Sequence, residues 1–186
     1  LISFFLPISS SRFQFSIIPF LNLGLNLAMQ KKILISACLL GKNCRYDGGH
    51  SKITDLDEIN VNWIPVCPEE AGGLGTPRPA AEMQNSADKI LEGKGSIINI
   101  NGQDVSQNFI KGAEESLEMG LLNGVEFAIL KSRSPSCGMG QIYDGTFTGT
   151  VKQGDGIFAH LCQKAGITCI SSDETYQIKK TLSKPK

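Results

Sequence analysis

Three cysteines in this chain follow short apolar runs. Cys38 comes directly after KILISA, Cys67 directly after WIPV, and Cys137 a few polar residues after VEFAIL. Short runs rich in aliphatic and β-branched residues are typical of strands that are buried on both faces of a parallel sheet. The carboxyl ends of such strands meet at one edge of the sheet, where these sheets bind ligands. We therefore expect the three thiols to converge although the sequence separates them widely.

The rest of the chain alternates helix and strand patterns. Residues 96–100 and 167–170 predict strands, and residues 105–121 place apolar side chains on one face of a helix that ends at residues 123–124. A second helix is predicted over residues 156–165, and YDGTFTGTVKQGDG predicts a hairpin or a loose ribbon. This alternation indicates an α/β fold with a mostly parallel sheet.

Composition limits the size of the fold and the class of its partners. The chain has 186 residues, of which 41% are hydrophobic, which is long enough for one domain and short for two. Lys+Arg and Asp+Glu are 18 each, so the formal charge is zero. Long nucleic acid and anionic membranes normally select a basic excess, and we expect neither as a partner. A small anionic ligand needs only a local basic pocket.

Residues 1–28 differ from the rest of the chain. They contain one basic residue, Arg12, and no acidic residue, and SSSRFQ and Pro19 interrupt their apolar run. A membrane helix needs about 20 unbroken apolar residues, a signal peptide needs a basic start, and a transit peptide needs several arginines. We expect an N-terminal extension that is not part of the fold, with a targeting peptide as the alternative. The domain is then residues 29–186, located in the cytoplasm.

Converging thiols bind a metal ion, bind an iron–sulfur cluster or form a catalytic dithiol. Zinc ribbons and thioredoxin-type sites carry CxxC pairs, and this sequence contains none. Three loop cysteines suit a cluster in which one iron has no protein thiolate and stays open to a ligand. Cys162 and Cys169 lie on apolar faces and are expected to be core residues. Cys44 is a fourth ligand, a redox partner or a loop residue, and we favour a role outside the ligand set.

The cysteine motifs together resemble a known family. ISACLLGKNCRYDGG, PVCPEEAGGLGTPRP and LKSRSPSCG, followed by YDGTFTG, are similar to the thiouracil desulfidase family over about residues 31–172. The resemblance implies a single Rossmann-like α/β domain that carries a 4Fe-4S cluster at the carboxyl ends of its strands. It also implies removal of sulfur from a thiolated pyrimidine, thiouracil or thiouridine monophosphate, with release of hydrogen sulfide. The implied cluster ligands are Cys38, Cys67 and Cys137.

The resemblance further implies catalytic roles for Glu69 and for a serine, Ser134 or Ser136. A thiocarbonyl sulfur is soft and suits iron, and binding there polarises the carbon–sulfur bond. A carboxylate then activates water to attack the carbon, so the cleavage is hydrolytic. Glu69 lies two positions after Cys67 and is expected in the same pocket. Glu70 is its competitor.

Three basic residues near the cysteine motifs are candidates for binding a substrate phosphate. They are Arg45, Lys131 and Arg133, and arginine matches phosphate with paired donors. The alternative is that they face solvent or pair with Asp47.

For the whole chain, the alternative to an enzyme is a non-catalytic carrier or sensor that binds an iron–sulfur cluster or zinc. A cluster protein also implies the iron–sulfur assembly machinery as a partner.

Overall fold

Four parallel strands form the central sheet of this protein, whose computed structural model describes residues 30–182. The predictions for residues 1–28 lie outside these described residues. Within them, every helix is too short or too polar to cross a membrane. In chain order the elements are β1 (Lys32–Ser36), β2 (Asn62–Val66), α1 (Pro68–Ala71), β3 (Ala81–Met83), α2 (Ala87–Leu91), β4 (Ile97–Asn99), α3 (Ser106–Leu122), β5 (Phe127–Leu130), β6 (Gln141–Tyr143), β7 (Val151–Gln153), α4 (Ile157–Lys164), β8 (Thr168–Ser171) and α5 (Thr175–Leu182).

The central sheet has the strand order β2-β1-β5-β8, and all neighbouring strands are parallel. Its middle strands are buried on both faces, as their apolar runs predicted. On one face Leu34 and Leu130 pack beneath α3 and α4, and on the other Ile33 and Ile129 pack with α5. Pro65 lies in β2, an edge strand, where a missing N–H is tolerated. The predicted α/β fold with a mostly parallel sheet is confirmed.

Two short antiparallel pairs flank this sheet. The strand predicted over residues 96–100 is β4, and it pairs with β3 instead of joining the parallel sheet. The β3 strand was not predicted, because a three-residue segment after a Pro- and Gly-rich loop carries too little pattern. The predicted hairpin is present as β6 and β7. Both pairs lie beside the carboxyl end of the parallel sheet, where they supply walls to the cavity described below.

The strand order creates a crevice between β1 and β5. The chain runs from β1 outward to β2, and then returns to the other side of β1 to form β5. The connections after β1 and β5 therefore run to opposite sides of the sheet. A ligand crevice forms between the carboxyl ends of two neighbouring strands whose connections diverge in this way. A hydrogen bond of 3.0 Å from the Lys131 backbone N–H to Ser36 Oγ joins the ends of these two strands.

Helix α1 packs backbone to backbone against α3. A Cβ atom on Gly72 would lie 1.9 Å from the carbonyl oxygen of Asn108, and one on Gly112 would lie 1.7 Å from that of Pro68. Neither position accommodates a side chain without moving the backbone of the other helix. This close approach holds the segment that begins at Cys67 against the long helix, and so fixes its place at the sheet edge.

Candidate active site

A cavity of about 380 Å³ opens at the carboxyl ends of β1, β2 and β5. It occupies the crevice expected from the strand order, and side chains from each of these strand ends enter its wall. Ser136 is the predicted site residue that does not line it. The predicted site residues that line the cavity are Cys38, Cys67, Cys137, Glu69, Ser134, Arg45, Lys131 and Arg133.

Three different local structures present the three thiols. Cys38 lies in a 3-10 turn directly after β1, which ends at Gly41 in a left-handed conformation (φ 95°). Cys67 is the extended residue that precedes α1. Cys137 ends a loop after β5 that rests on the N-terminus of α4, where the Phe158 N–H donates to the Ser136 carbonyl at 2.9 Å. The sheet edge therefore brings together cysteines that the sequence separates.

The surroundings of these thiols favour their neutral form. Burial raises the pKa of Cys137 to about 12, and the nearby hydroxyls of Ser36 and Ser136 oppose that shift. A hydrogen bond with Cys38 is the largest cause that raises the pKa of Cys44 to about 11. A hydrogen bond with Cys44, and then burial, raises the pKa of Cys67. A bound cation offsets such shifts, because it stabilises the thiolates directly.

Within residues 30–182, one close group of possible metal donors is present, and it includes Cys44. One donor atom each from Cys44, Cys67 and Glu70 lies within 4.8 Å of the others. Among the described residues, Cys38, Cys67 and Cys137 do not form so tight a group. That wider spacing suits a multi-iron cluster better than a single ion, because a cluster places its protein ligands on different irons. Cys44 is 2% exposed, and the structure places it closer to the predicted ligands than the sequence indicated.

A buried hydroxyl tests whether the site suits thiolate ligands. Ser136 is fully buried, and its Oγ has no hydrogen-bond partner within residues 30–182. Such a group is costly, because it has lost water without gaining a partner. It lies beside the Cys137 thiol, where it opposes part of the rise in pKa that burial causes. A metal-bound thiolate accepts hydrogen bonds of this kind, so the residues present fit an iron–sulfur group.

Glu69 and Ser134 meet at the cavity wall. Ser134 Oγ accepts the backbone N–H groups of Ser136 and Cys137, each at 3.1 Å. Its own proton is then directed to Glu69 Oε1, at an oxygen–oxygen distance of 3.4 Å. The other carboxylate oxygen, Oε2, is bound by Arg78 through Nε and Nη2, both at 2.7 Å. The two oxygens of Glu69 thus have different partners.

Arg78 was not singled out by any sequence pattern. Its side chain is only 7% exposed, and besides Glu69 it donates to the carbonyls of Gly75 (3.1 Å) and Cys44 (3.0 Å) and to Thr76 Oγ1 (3.0 Å). One guanidinium therefore joins the Cys44 loop, the segment after α1 and the carboxylate at the cavity wall. The sequence signal that could have identified Arg78 is its place in TPRP, at the end of the motif PVCPEEAGGLGTPRP.

Comparisons with known proteins agree with this geometry. A family model described as 2-thiouracil desulfurase matches residues 33–174. The chain belongs to the 2-thiouracil desulfurase family. A relative from Bacillus subtilis (strain 168), the uncharacterized protein YbbK, is 40% identical over 149 residues, which are 78% of this chain and 99% of YbbK. A solved structure of a [4Fe-4S]-dependent thiouracil desulfidase, TudS, is 38% identical, with a TM-score of 0.72 over 83% of this chain and 99% of TudS.

In this member of the desulfurase family, Glu70 does not line the cavity, although one of its carboxylate oxygens lies within 4.8 Å of the sulfurs of Cys44 and Cys67. It accepts hydrogen bonds from Lys42 Nζ at 2.6 Å and Thr76 Oγ1 at 3.0 Å. Burial opposes ionisation, but these hydrogen bonds outweigh it and lower the pKa of Glu70. Of the two adjacent acids, only Glu69 lines the cavity. The structure therefore separates the two candidates that the sequence left side by side.

The three predicted phosphate-binding residues line the same cavity, and each already has a polar partner. Arg45 pairs with Asp47 at 2.7 Å, and Arg133 pairs with Asp173 at 3.2 Å. Lys131 Nζ donates to the next residue, and burial lowers the pKa of Lys131. The Arg45–Asp47 ion pair, which the sequence suggested as an alternative to phosphate binding, is present. Arg45 nevertheless also lines the cavity.

Proposed function

We propose that this protein is an iron–sulfur-dependent desulfidase that removes sulfur from a thiolated pyrimidine and releases hydrogen sulfide. The observation that supports this most is the shared cavity, which is lined by three thiols and by the Glu69–Ser134 pair. Membership in the 2-thiouracil desulfurase family and the likeness to a [4Fe-4S]-dependent thiouracil desulfidase support the same substrate class.

Cys38, Cys67 and Cys137 would hold the 4Fe-4S cluster, which supplies a Lewis-acidic iron for the thiocarbonyl sulfur. With the cluster bound, the unpartnered hydroxyl of Ser136 would donate a hydrogen bond to the Cys137 sulfur. Cys44 remains outside the ligand set and packs between the ligand thiols. Ser136 thus supports a ligand, whereas Ser134 acts at the cavity wall.

Glu69 takes a proton from the attacking water. Since Arg78 engages Oε2, the oxygen available for this proton is Oε1. Ser134 Oγ donates its proton to Oε1 and so fixes the orientation of the carboxylate that receives the water proton. The water oxygen bonds to the thiocarbonyl carbon, the carbon–sulfur bond breaks, and both water protons leave with the sulfur as hydrogen sulfide. The reaction exchanges C=S for C=O with no net transfer of electrons.

Arg45, Lys131 and Arg133 give the cavity wall a positive charge suited to the phosphate of thiouridine monophosphate. Lys131→Met should therefore raise the KM for the nucleotide while leaving the KM for the free base nearly unchanged. Equal effects on both substrates would contradict phosphate binding.

The six cysteines are free thiols, which suits action in the cytoplasm, where thiols stay reduced, with the iron–sulfur assembly machinery as a partner.

A carrier or sensor that binds a single metal ion is the second candidate, supported by the tight group of Cys44, Cys67 and Glu70. A carrier does not require the Glu69–Ser134 pair beside its metal, nor an arginine that positions the carboxylate. Zinc is colourless, whereas an iron–sulfur cluster absorbs visible light, so the spectrum of the reconstituted protein distinguishes the two.

The decisive experiment compares two adjacent acids. Wild type, Glu69→Gln and Glu70→Gln are reconstituted without oxygen, and sulfide release from 2-thiouracil and 4-thiouracil is measured at matched iron content. Loss of a positioned acid/base typically costs roughly a hundred-fold to ten-thousand-fold in rate. We expect this loss in Glu69→Gln with an unchanged visible spectrum, and near-normal release in Glu70→Gln. Near-normal release in Glu69→Gln would contradict the proposed role.

A further inference from the structure

Two non-glycine residues within residues 30–182 have a positive φ, and both line the cavity. They are Arg133 (φ 60°) and Phe147 (φ 58°). A bulky residue in this region of backbone space is an outlier, and it persists only where the surroundings hold it there. Such strain concentrates at functional sites. For Arg133 a charged role is already proposed, whereas Phe147 has none.

A buried carboxylate holds Phe147 in this conformation. Glu82, in β3, is 7% exposed, and its Oε2 accepts the backbone N–H groups of Gly145 at 2.9 Å and Phe147 at 3.0 Å. The cost of burying this charge is offset by the two charge-assisted hydrogen bonds. The backbone at Phe147 is therefore tied to the sheet that forms the cavity wall and is not a free loop tip.

Further bonds attach the whole hairpin to β3. Lys152 Nζ, in β7, donates to the carbonyls of Met83 and Asp144, each at 3.0 Å. Gln84 Nε2 donates to the carbonyl of Gly145 at 3.0 Å. The turn between β6 and β7 is thus hydrogen-bonded to β3 and to Gln84, which follows it. These bonds hold Phe147 in place at the cavity wall.

Three aromatic residues line the cavity: Phe147 and Tyr143 from the hairpin, and Tyr46 from the loop after β1. Of these three, only Phe147 is held in a positive-φ backbone conformation. Flat heterocycles gain affinity by stacking on aromatic side chains, and this gain falls when the heterocycle is not planar. We propose that Phe147 is a specificity-determining residue that selects the planar ring of the substrate by stacking on it. This inference rests on the proposed function for the identity of the ring.

The test compares planar and non-planar rings. Sulfide release is measured for thiouracil and for its 5,6-dihydro counterpart, whose ring is puckered, in wild type, Phe147→Tyr, Phe147→Leu and Val151→Ala. All Phe147 variants keep a Cβ and hence the same backbone constraint. Val151 is an exposed residue of the same hairpin outside the cavity lining, and it serves as the control. Binding of uracil is measured in parallel by calorimetry, which does not depend on turnover.

We expect Phe147→Leu to weaken uracil binding and raise the KM for thiouracil roughly ten-fold, with kcat little changed, and to reduce the preference for the planar ring. Val151→Ala should resemble wild type, and Phe147→Tyr, which keeps an aromatic ring, should keep the preference for the planar ring that Phe147→Leu loses. If Phe147→Leu keeps the wild-type KM and the wild-type preference, the inference is overturned. If wild type binds uracil with an affinity that depends on Phe147 but releases no sulfide, the inference holds and the proposed function fails. Absence of both binding and release in wild type overturns both.

Discussion

The substitution Arg78→Met tests how much the guanidinium contributes by joining the Glu69 carboxylate to the Cys44 loop. Methionine keeps much of the apolar length of the arginine stem but removes the guanidinium. Glu69 then loses both of its charge-assisted hydrogen bonds, and the carbonyls of Cys44 and Gly75 lose a donor. The side chains of Arg78 and Glu69 are 7% and 16% exposed, so water replaces these bonds poorly.

The size of the effect follows from that burial. Breaking a buried ion pair by removing one partner typically costs about 3–5 kcal/mol, because a charge is left without compensation. Glu69 lines an open cavity and is partly rehydrated, so we expect the lower end, about 3 kcal/mol. For a domain of this size that corresponds to a decrease in Tm of roughly 10 °C.

The assay is a double-mutant cycle. Unfolding free energies are measured for wild type, Arg78→Met, Glu69→Gln and the double variant at matched iron content. We expect a coupling energy of roughly 2 kcal/mol, within the range seen for residues in one hydrogen-bond network. Lys42→Met is the control, since it removes the 2.6 Å ion pair with Glu70 from a lysine that is 59% exposed. Exposed pairs contribute about 0–1 kcal/mol.

A conservative change separates charge from geometry. Arg78→Lys keeps the positive charge but not the planar fork that reaches Glu69 and two carbonyls at once. We expect it to recover part of the stability but little of the sulfide release. The reasoning is refuted if Arg78→Met is no more destabilising than Lys42→Met, or if the coupling energy is below about 0.5 kcal/mol.

Three further predictions concern packing, the ligand set and the N-terminal segment. Gly112→Ala should destabilise the protein by about 2–3 kcal/mol in chemical unfolding, because its Cβ would lie 1.7 Å from the Pro68 carbonyl oxygen. On the same helix, Gly120→Ala should cost less than about 1 kcal/mol, since its Cβ meets only side-chain atoms, at 3.1 Å or more. If the two variants lose a similar free energy of unfolding, the close α1–α3 contact is not the cause of the destabilisation. Replacing any one of Cys38, Cys67 and Cys137 by alanine should prevent intact cluster assembly, measured as iron and sulfide per chain, whereas Cys44→Ala should retain the cluster. Loss of all iron in Cys44→Ala would move that cysteine into the ligand set. A chain that begins at Met29 should fold, bind iron and release sulfide like the full chain, and insolubility of the shorter chain alone would show that residues 1–28 contribute to the domain.

The sequence predicted the parallel strands because each contains a short apolar run, and the runs of β1 and β5 belong to strands that are buried on both faces. It also predicted that Cys38, Cys67 and Cys137 approach one another, because loops that follow parallel strands share one edge of the sheet. These inferences depend on neighbours in the chain and on the general geometry of sheets. They did not require knowledge of any particular contact.

The family resemblance favoured Glu69 over Glu70, but the physical reason that Glu69 faces the cavity is visible only in the tertiary structure. Glu69 and Glu70 are adjacent and chemically alike, and the rotation of about 100° between successive helical residues places them on different sides of α1. The axial orientation of that helix depends on its contact with Gly112, which comes from α3. The partner of Glu69, Arg78, was equally hidden, because its role depends on the folding of a Pro- and Gly-rich loop without a periodic pattern. Local patterns record whether a segment is buried, whereas the direction of a single side chain depends on packing between segments that are distant in the sequence.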